Sequence, residues 1–335
     1  MASGFALGRT RLIPQAMLHI EIAGPTCTPW SRANQDARGW LEEASLPCLV
    51  WIASLARARP HAIVAECVPA FDAPALQKFL VQAGADVPYS FDSIVFGPDT
   101  LGIPASRDRR YSVFLQKDVT SNFNAQDFKN AVAAEMQVDG RIFMRATRDQ
   151  VKAFLDKLAA SRQIPPRPDG KSFACQAVLS PSDRLRLQKC IDKAASLGPR
   201  PLFIDVKQSV GQLRVSFNNM PCLMRESSIY EVTSARILLP IEELCVQCIP
   251  LTLPRSSEFA QLSPWTMDFL DTLSDKEIKS MAGNSMILPV VGSVLLVILC
   301  MADWTFPAKE KGEPSESTAQ ADPDDREDMP LDSAS

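Results

Sequence analysis

Apolar and polar positions along this chain fall into short, changing rhythms. Residues 18–23 (LHIEIA) alternate, which predicts a strand. Gly24-Pro25 ends it, and the following loop carries Cys27. Residues 46–58 (LPCLVWIASLARA) space their apolar positions as a helix does, and residues 62–67 (AIVAEC) run apolar up to a carboxylate, as a buried strand would. Residues 73–84 read as a helix, and residues 93–97 and 111–116 as strands. Strands alternating with helices predict an α/β sheet. Ligands of such sheets gather beyond the carboxyl ends of the strands, where both Cys27 and Glu66 fall.

From about residue 118 to 234 the rhythm breaks. Charges are frequent and loops such as 164–170 (IPPRPDG) intervene, which predicts a smaller, mixed lobe. Residues 237–249 are apolar and helical after Pro240. In residues 274–281 (SDKEIKSM), Ser274 at an N-cap and Glu277 three residues on have capping-box spacing. Residues 286–302 (MILPVVGSVLLVILCMA) carry no charge over about 17 residues, the lower limit of a membrane span. Pro289, Gly292 and Ser293 weaken that reading, no basic cluster flanks the entry side, and the next segment is acidic. A buried helix of a soluble domain is preferred, with a membrane anchor at 286–302 as the alternative. After Phe306 the chain is rich in Pro, Ser, Glu and Asp and has few large apolar residues to offset its ordering entropy, so a disordered acidic tail is expected. The expected organisation is a catalytic α/β core over 1–117, a lobe over 118–234, a return to the core over 235–303, and a tail over 304–335.

Composition changes this picture in three ways. The 335 residues, 46% hydrophobic, suffice for a real core. The formal net charge of −4 hides a segregation. Residues 105–236 hold 22 Lys and Arg against 13 Asp and Glu, whereas residues 304–335 hold 9 acidic against 3 basic residues. A basic middle suits a polyanion, because neutralised phosphates release counterions. Nine cysteines, with no continuous apolar leader in residues 1–15, point to reduced thiols inside a cell. Two histidines, His19 and His61, exclude a His-rich metal site, and no metal is expected. Cys245-Val246-Gln247-Cys248 is a CxxC with no second pair at zinc spacing, so buried thiols are expected.

Five stretches in order carry a further pattern. Residues 23–31 (AGPTCTPWS) resemble the nucleophile loop G-x-P-C-Q-x-F/W-S of the cytosine-C5 DNA methyltransferases, matching at Gly24, Cys27, Trp30 and Ser31, with Thr26 and Thr28 departing. Residues 60–68 (PHAIVAECV) resemble that family's strand ending in Glu-Asn-Val, with Cys67 in place of the asparagine. Residues 101–111 (LGIPASRDRRY) resemble G-x-P-Q-x-R-x-R through Gly102, Pro104, Arg107 and Arg109, with Ala105 departing. Residues 236–250 (RILLPIEELCVQCIP) resemble R-x-L-T-x-x-E-x-x-x-L-Q-G-x-P, with Leu239 and Cys248 departing. Gly283-Asn284 followed by Pro289-Val290 resembles the closing helix. The lobe between the third and fourth stretches lies where the family carries its target-recognition domain.

The resemblance implies a partial Rossmann-like methyltransferase sheet with a target-recognition lobe, and a DNA (cytosine-5-)-methyltransferase that takes its methyl group from S-adenosyl-L-methionine. It assigns Cys27 as the thiol that adds to cytosine C6 and makes C5 nucleophilic. Glu66 becomes the N3 partner, and Arg107 and Arg109 clamp the base and active site. Gly283 and Asn284 face the cofactor, and Ser31, Arg110 and Arg236 the nucleic acid, from which the base must be flipped. DNA in a nucleus is the expected partner; RNA remains open, since one branch of the family acts on transfer RNA.

The family opens on an F-x-G-x-G turn that cradles S-adenosylmethionine, and Met1–Ala23 contains none. The expectation is therefore a chain lacking the N-terminal strands and the cofactor pocket. Three readings follow: a piece of an active enzyme, a nucleic-acid-binding remnant without catalysis, or a chain whose sheet a partner chain completes.

Overall fold

A computed structural model of the chain describes residues 18–304, other than 32–33, 84–88, 118, 122–123, 170, 196–201, 209–214 and 252–266. Residues 1–17 and 305–335, which include nearly all of the expected acidic tail, lie outside the described residues.

Strands β1 (Ile20–Ala23), β2 (Ala62–Cys67), β3 (Tyr89–Phe96) and β4 (Arg109–Gln116) make one sheet in the order β1-β2-β4-β3. β1 runs parallel to β2, and β4 runs antiparallel to β2 and β3. The α/β class expected from the alternation is the observed one. All six β2 residues are buried, because both faces of the sheet are covered, as the unbroken apolar run implied. Ile63, Ala65 and Cys67 pack with α1 (Leu46–Ala58) and α2 (Ala73–Gln82) on one face. Ala62 and Val64 pack on the other with α3 (Ala125–Val132) and with the last helix. Side chains alternate along a strand, so Glu66 projects to the second face.

β3 begins earlier than residue 93, at Tyr89. Asp92 masks its pattern, because this acidic residue is there to accept a hydrogen bond from Ala125 N–H at 2.8 Å. A two-residue ladder joins β5 (Thr120–Ser121) to β10 (Ala302–Asp303).

The mixed region contains an antiparallel sheet in the order β7-β6-β8-β9, from β6 (Leu202–Asp205), β7 (Val215–Phe217), β8 (Ile229–Glu231) and β9 (Arg236–Ile237). Helices α4 (Arg148–Ser161), α5 (Cys175–Val178) and α6 (Pro181–Ala194) share a core with it. Arg236 and Ile237, expected in the returning core, form the edge of this second sheet.

A further apolar cluster joins the two regions through Ala105, Phe143, Phe203 and residues of α7 (Pro240–Val246), α8 (Met267–Leu270) and α9 (Asp275–Asn284). Ser274 and Glu277 form the capping box that their spacing implied. The closing helix, α10 (Leu288–Met301), buries Val290, Val291, Val294 and Ile298 against the first sheet. By length and composition residues Asp275–Met301 could cross a membrane. Ser285 turns extended (φ −70°, ψ 149°), however, and separates α9 from α10. The 14 residues of α10 rise about 21 Å, short of a bilayer core of about 30 Å.

Glu243 on α7 is fully buried, Lys279 of α9 stands 3.1 Å from its Oε1 as counter-charge, and Asp205 lies near enough to oppose that effect. Burial pushes this carboxyl up to about 7, although Lys279 pulls it back. A folded-state value above the unfolded one means that the group's contribution is whole below pH 4.5 and is lost as pH rises through about 7. The loss is on the order of 3 kcal/mol. Urea midpoints at pH 5 and pH 8 check this: Glu243→Gln should flatten the fall, gaining on wild type only at the higher pH.

Candidate active site

The site begins where β1 ends. Gly24-Pro25 breaks the strand, and Cys27 is the exposed N-cap of a 3-10 helix, Thr28–Trp30. Trp30 anchors that helix. It is 7% exposed and packs edge-on against Trp40 and Phe71, with ring centroids at 4.8 and 4.7 Å. Gly39 has φ +59°, and any Cβ there would stand 3.1 Å from Trp30 Nε1. The aromatic cluster therefore holds the loop while leaving the thiol in solvent. Ser31 follows the helix, its amide donating to Thr28 O at 3.2 Å.

Glu66 lies near the carboxyl end of β2, beneath this loop. A Cβ on Gly24 would stand 3.4 Å from Glu66 Oε2, and Cys67 Sγ lies 3.7 Å from Pro25 O. Glu66 is 7% exposed. Burial raises its carboxyl above the ordinary range, and Arg107 and Arg109 oppose the rise. Arg109 Nε lies 3.2 Å from Oε1, but without hydrogen-bond alignment, so this buried oxygen keeps an open hydrogen-bonding position. Register explains the pairing. Glu66 sits opposite Tyr111 in β4, and Arg109, two residues earlier, shares their face.

Arg107 is 8% exposed and works differently. Its Nη1 donates to Leu223 O at 3.1 Å, and Nη1 and Nη2 both donate to Gly283 O at 3.3 Å, while Nε has no partner. It ties the approach to β4, the 220–225 segment and α9 together. Arg109 Nη2 reaches Cys222 Sγ at 3.8 Å and Nη1 reaches Asp108 O at 2.8 Å. Sequence reasoning did not find Cys222. It lies 113 residues from Arg109 in the chain, in no periodic element, and only folding brings the two together.

Glu66, Arg107 and Arg109 therefore converge beneath the loop that carries Cys27, which lies near enough to Arg109 to act on its charge, and Gly283 joins them through its carbonyl. Asn284 beside it is exposed, with Nδ2 3.5 Å from Ser280 Oγ. Arg110 sits opposite Cys67, on the other face of the sheet from Glu66, where Nε and Nη2 donate to Pro69 O and Nη1 to Ser93 Oγ. Arg236 is remote from the cluster. Its Nη1 and Nη2 fork onto Glu242 at 2.9 and 2.8 Å, and Glu242 also accepts from Leu239 N–H and Ala146 N–H. The guanidinium is thus taken up within the protein, since a buried carboxylate needs a counter-charge.

Gly283 leaves no room for a side chain. A Cβ there would stand 2.5 Å from both Arg225 N and Met224 C. Helix propensity alone favours Ala over Gly by about 1 kcal/mol. The clash with backbone reverses the sign, and Gly283→Ala should destabilise by about 1–3 kcal/mol, read as a lower urea midpoint.

Among the described residues, the groups aligned with the family's cofactor motif are Gly283, consumed by packing and by Arg107, and the exposed Asn284. No glycine-rich turn stands beside them, so these residues alone do not fit S-adenosylmethionine. Nor do they contain a group of three or more His, Cys, Asp or Glu that could hold a metal ion.

No protein-family model matches the chain, and no curated relative matches its sequence. Solved structures do resemble it. The crystal structure of S. pombe Dnmt2 methyltransferase is 14% identical, covers 84% of this chain and 77% of its own, and has a TM-score of 0.46. A DNA modification methyltransferase encoded within an E. coli prophage is 14% identical over 84% of this chain and 79% of its own, with a TM-score of 0.48. The Entamoeba histolytica methyltransferase EhMeth is 16% identical over 84% and 77%, with a TM-score of 0.43.

Proposed function

We propose that this chain is a cytosine-C5 methyltransferase acting through Cys27 on nucleic acid, DNA first and RNA as the alternative substrate, inside the cell and in the nucleus. The observation that carries the reading is an exposed thiol, Cys27, on the loop above a buried carboxyl, Glu66, that pairs with Arg109 and has an open oxygen position. Cys27 adds as thiolate to C6 of a flipped cytosine. Glu66, raised by burial, brings a proton to N3 as charge develops there. C5 becomes enamine-like and takes an electrophile; its hydrogen then leaves and the thiolate departs. S-adenosylmethionine would supply the methyl group when bound, but the described residues do not fit it alone.

Among the described residues one side of β1 is unpaired, which supports a second chain that adds to the sheet there. β1 is an edge strand, Ile22 on it is 40% exposed, and helices on both faces expose apolar side chains, Val50 at 63% on α1 and Leu296 at 62% on α10. An open edge of this kind invites strand addition.

Addition at C6 also labilises the C5 hydrogen without a methyl donor. The test is therefore release of tritium from [5-³H]cytosine in DNA and in RNA, without S-adenosylmethionine. Wild type should exchange it and Cys27→Ala should not. Absence of exchange from wild type, together with salt-dependent binding to the same DNA, would replace this reading with the non-catalytic remnant, which the basic lobe supports.

A further inference from the structure

Helix α7 ends in Cys245-Val246-Gln247-Cys248, and the expectation of two buried thiols does not hold there. Both cysteines are half-buried. The Cys248 amide donates to Cys245 O at 2.8 Å, with Gln247 at φ −78°, ψ 4° and Cys248 left-handed at φ 57°. A four-residue turn of this kind holds its outer Cα atoms within about 7 Å. A disulfide needs about 4.4–6.8 Å. Both side chains touch one apolar cluster, Cys248 also touches the cluster against the first sheet, and Cys245 lies close enough to Cys248 to raise its thiol.

The turn is a joint in the fold. Gln247 O accepts the amide of Leu288, the first residue of α10, at 3.1 Å, and the Gln247 side chain is buried with Oε1 unpaired. That hydrogen bond ties the turn between the two cysteines to the start of the closing helix, although α8 and α9 intervene along the chain.

We propose that Cys245 and Cys248 are a redox-active dithiol that closes reversibly to a disulfide, with a small-molecule disulfide such as oxidised glutathione as the oxidant. One cysteine, as thiolate, attacks a glutathione sulfur and displaces one glutathione thiolate. The second cysteine attacks the mixed disulfide and displaces the other. One S–S bond breaks and one forms. Two electrons pass to glutathione, and the two cysteine protons end on its thiols.

Burial raises both thiols, Cys248 to about 11. The reduced pair thus gains nothing from thiolate stabilisation, which makes the disulfide hard to reduce and slow to form. Their place at a helix C-terminus acts in the same direction, since the dipole there disfavours an anion. This inference is independent of the proposed methyltransferase chemistry.

The full chain, equilibrated in glutathione buffers of graded redox poise, quenched in acid, alkylated and mapped by mass spectrometry, tests it. Trypsin would release residues 237–255, which contain Cys245 and Cys248 and no other cysteine. In oxidising buffers this peptide should escape alkylation and lose two mass units, and reducing buffers should restore both alkylation sites. Cys245→Ser or Cys248→Ser should abolish the loss. Full alkylation of this peptide in wild type at the most oxidising poise, or separate glutathione adducts on the two cysteines, would overturn the proposal. The wild-type map decides even if a serine variant fails to fold.

Discussion

Cys27→Ala is expected to abolish base addition while leaving the fold intact. The thiol is exposed at the tip of a loop, and the loop is held by Trp30, Gly24 and the Pro25 carbonyl, none of which the substitution touches. Surface changes of this kind shift stability by no more than about 0.5 kcal/mol. The loss of tritium release should be on the order of 10⁴-fold or more, because no other group replaces a covalent nucleophile. A thermal melt beside the exchange assay separates the two effects. Residual exchange within tenfold of wild type would show that the thiol does not add to the base.

Arg107→Ala should instead cost stability first, by about 3–5 kcal/mol. The guanidinium is buried, and removing it strands the carbonyls of Leu223 and Gly283, which lie 116 and 176 residues away in the chain. It also takes a positive charge from beside Glu66, whose carboxyl should rise further. Arg107→Lys keeps the charge but cannot reproduce the fork, so it should restore part of the pH profile and little of the stability. A urea midpoint equal to wild type in Arg107→Ala would show that the three-way tie carries no load.

The two arginines looked alike in the sequence. Both stood in one short motif and were expected to clamp the base. In the structure Arg109 pairs with the carboxyl and Arg107 binds the protein together. Arg110, their neighbour, faces away because the strand alternates, and Arg236 is spent on Glu242. Spacing along a chain tells which residues share a strand. It does not tell which partner fills each hydrogen-bonding position.

Cys248 makes the same point from the other side. It stands where the resembled motif has glycine, and the backbone there has φ 57°, a conformation that glycine adopts freely. The sequence showed the departure; only the backbone showed what it strains and where it places the sulfur.

Local signals were enough for what depends on local physics. Alternation and helical spacing marked β1, β2, β4, α1 and α2, an uncharged run marked α10, Ser274 and Glu277 marked the start of α9, and the break at Gly24-Pro25 and the carboxylate closing the run 62–67 put Cys27 and Glu66 at strand ends. These follow from side-chain periodicity and capping, which act over a few residues. The tertiary structure alone decided the strand order, the second sheet, the partners of each arginine, the place of Cys222, the close packing at Gly283 and the position of β1 at the end of the described strand order. Each of these joins residues far apart in the chain, where the outcome is set by which surfaces exclude water together, and no short window of sequence contains both sides of such a contact.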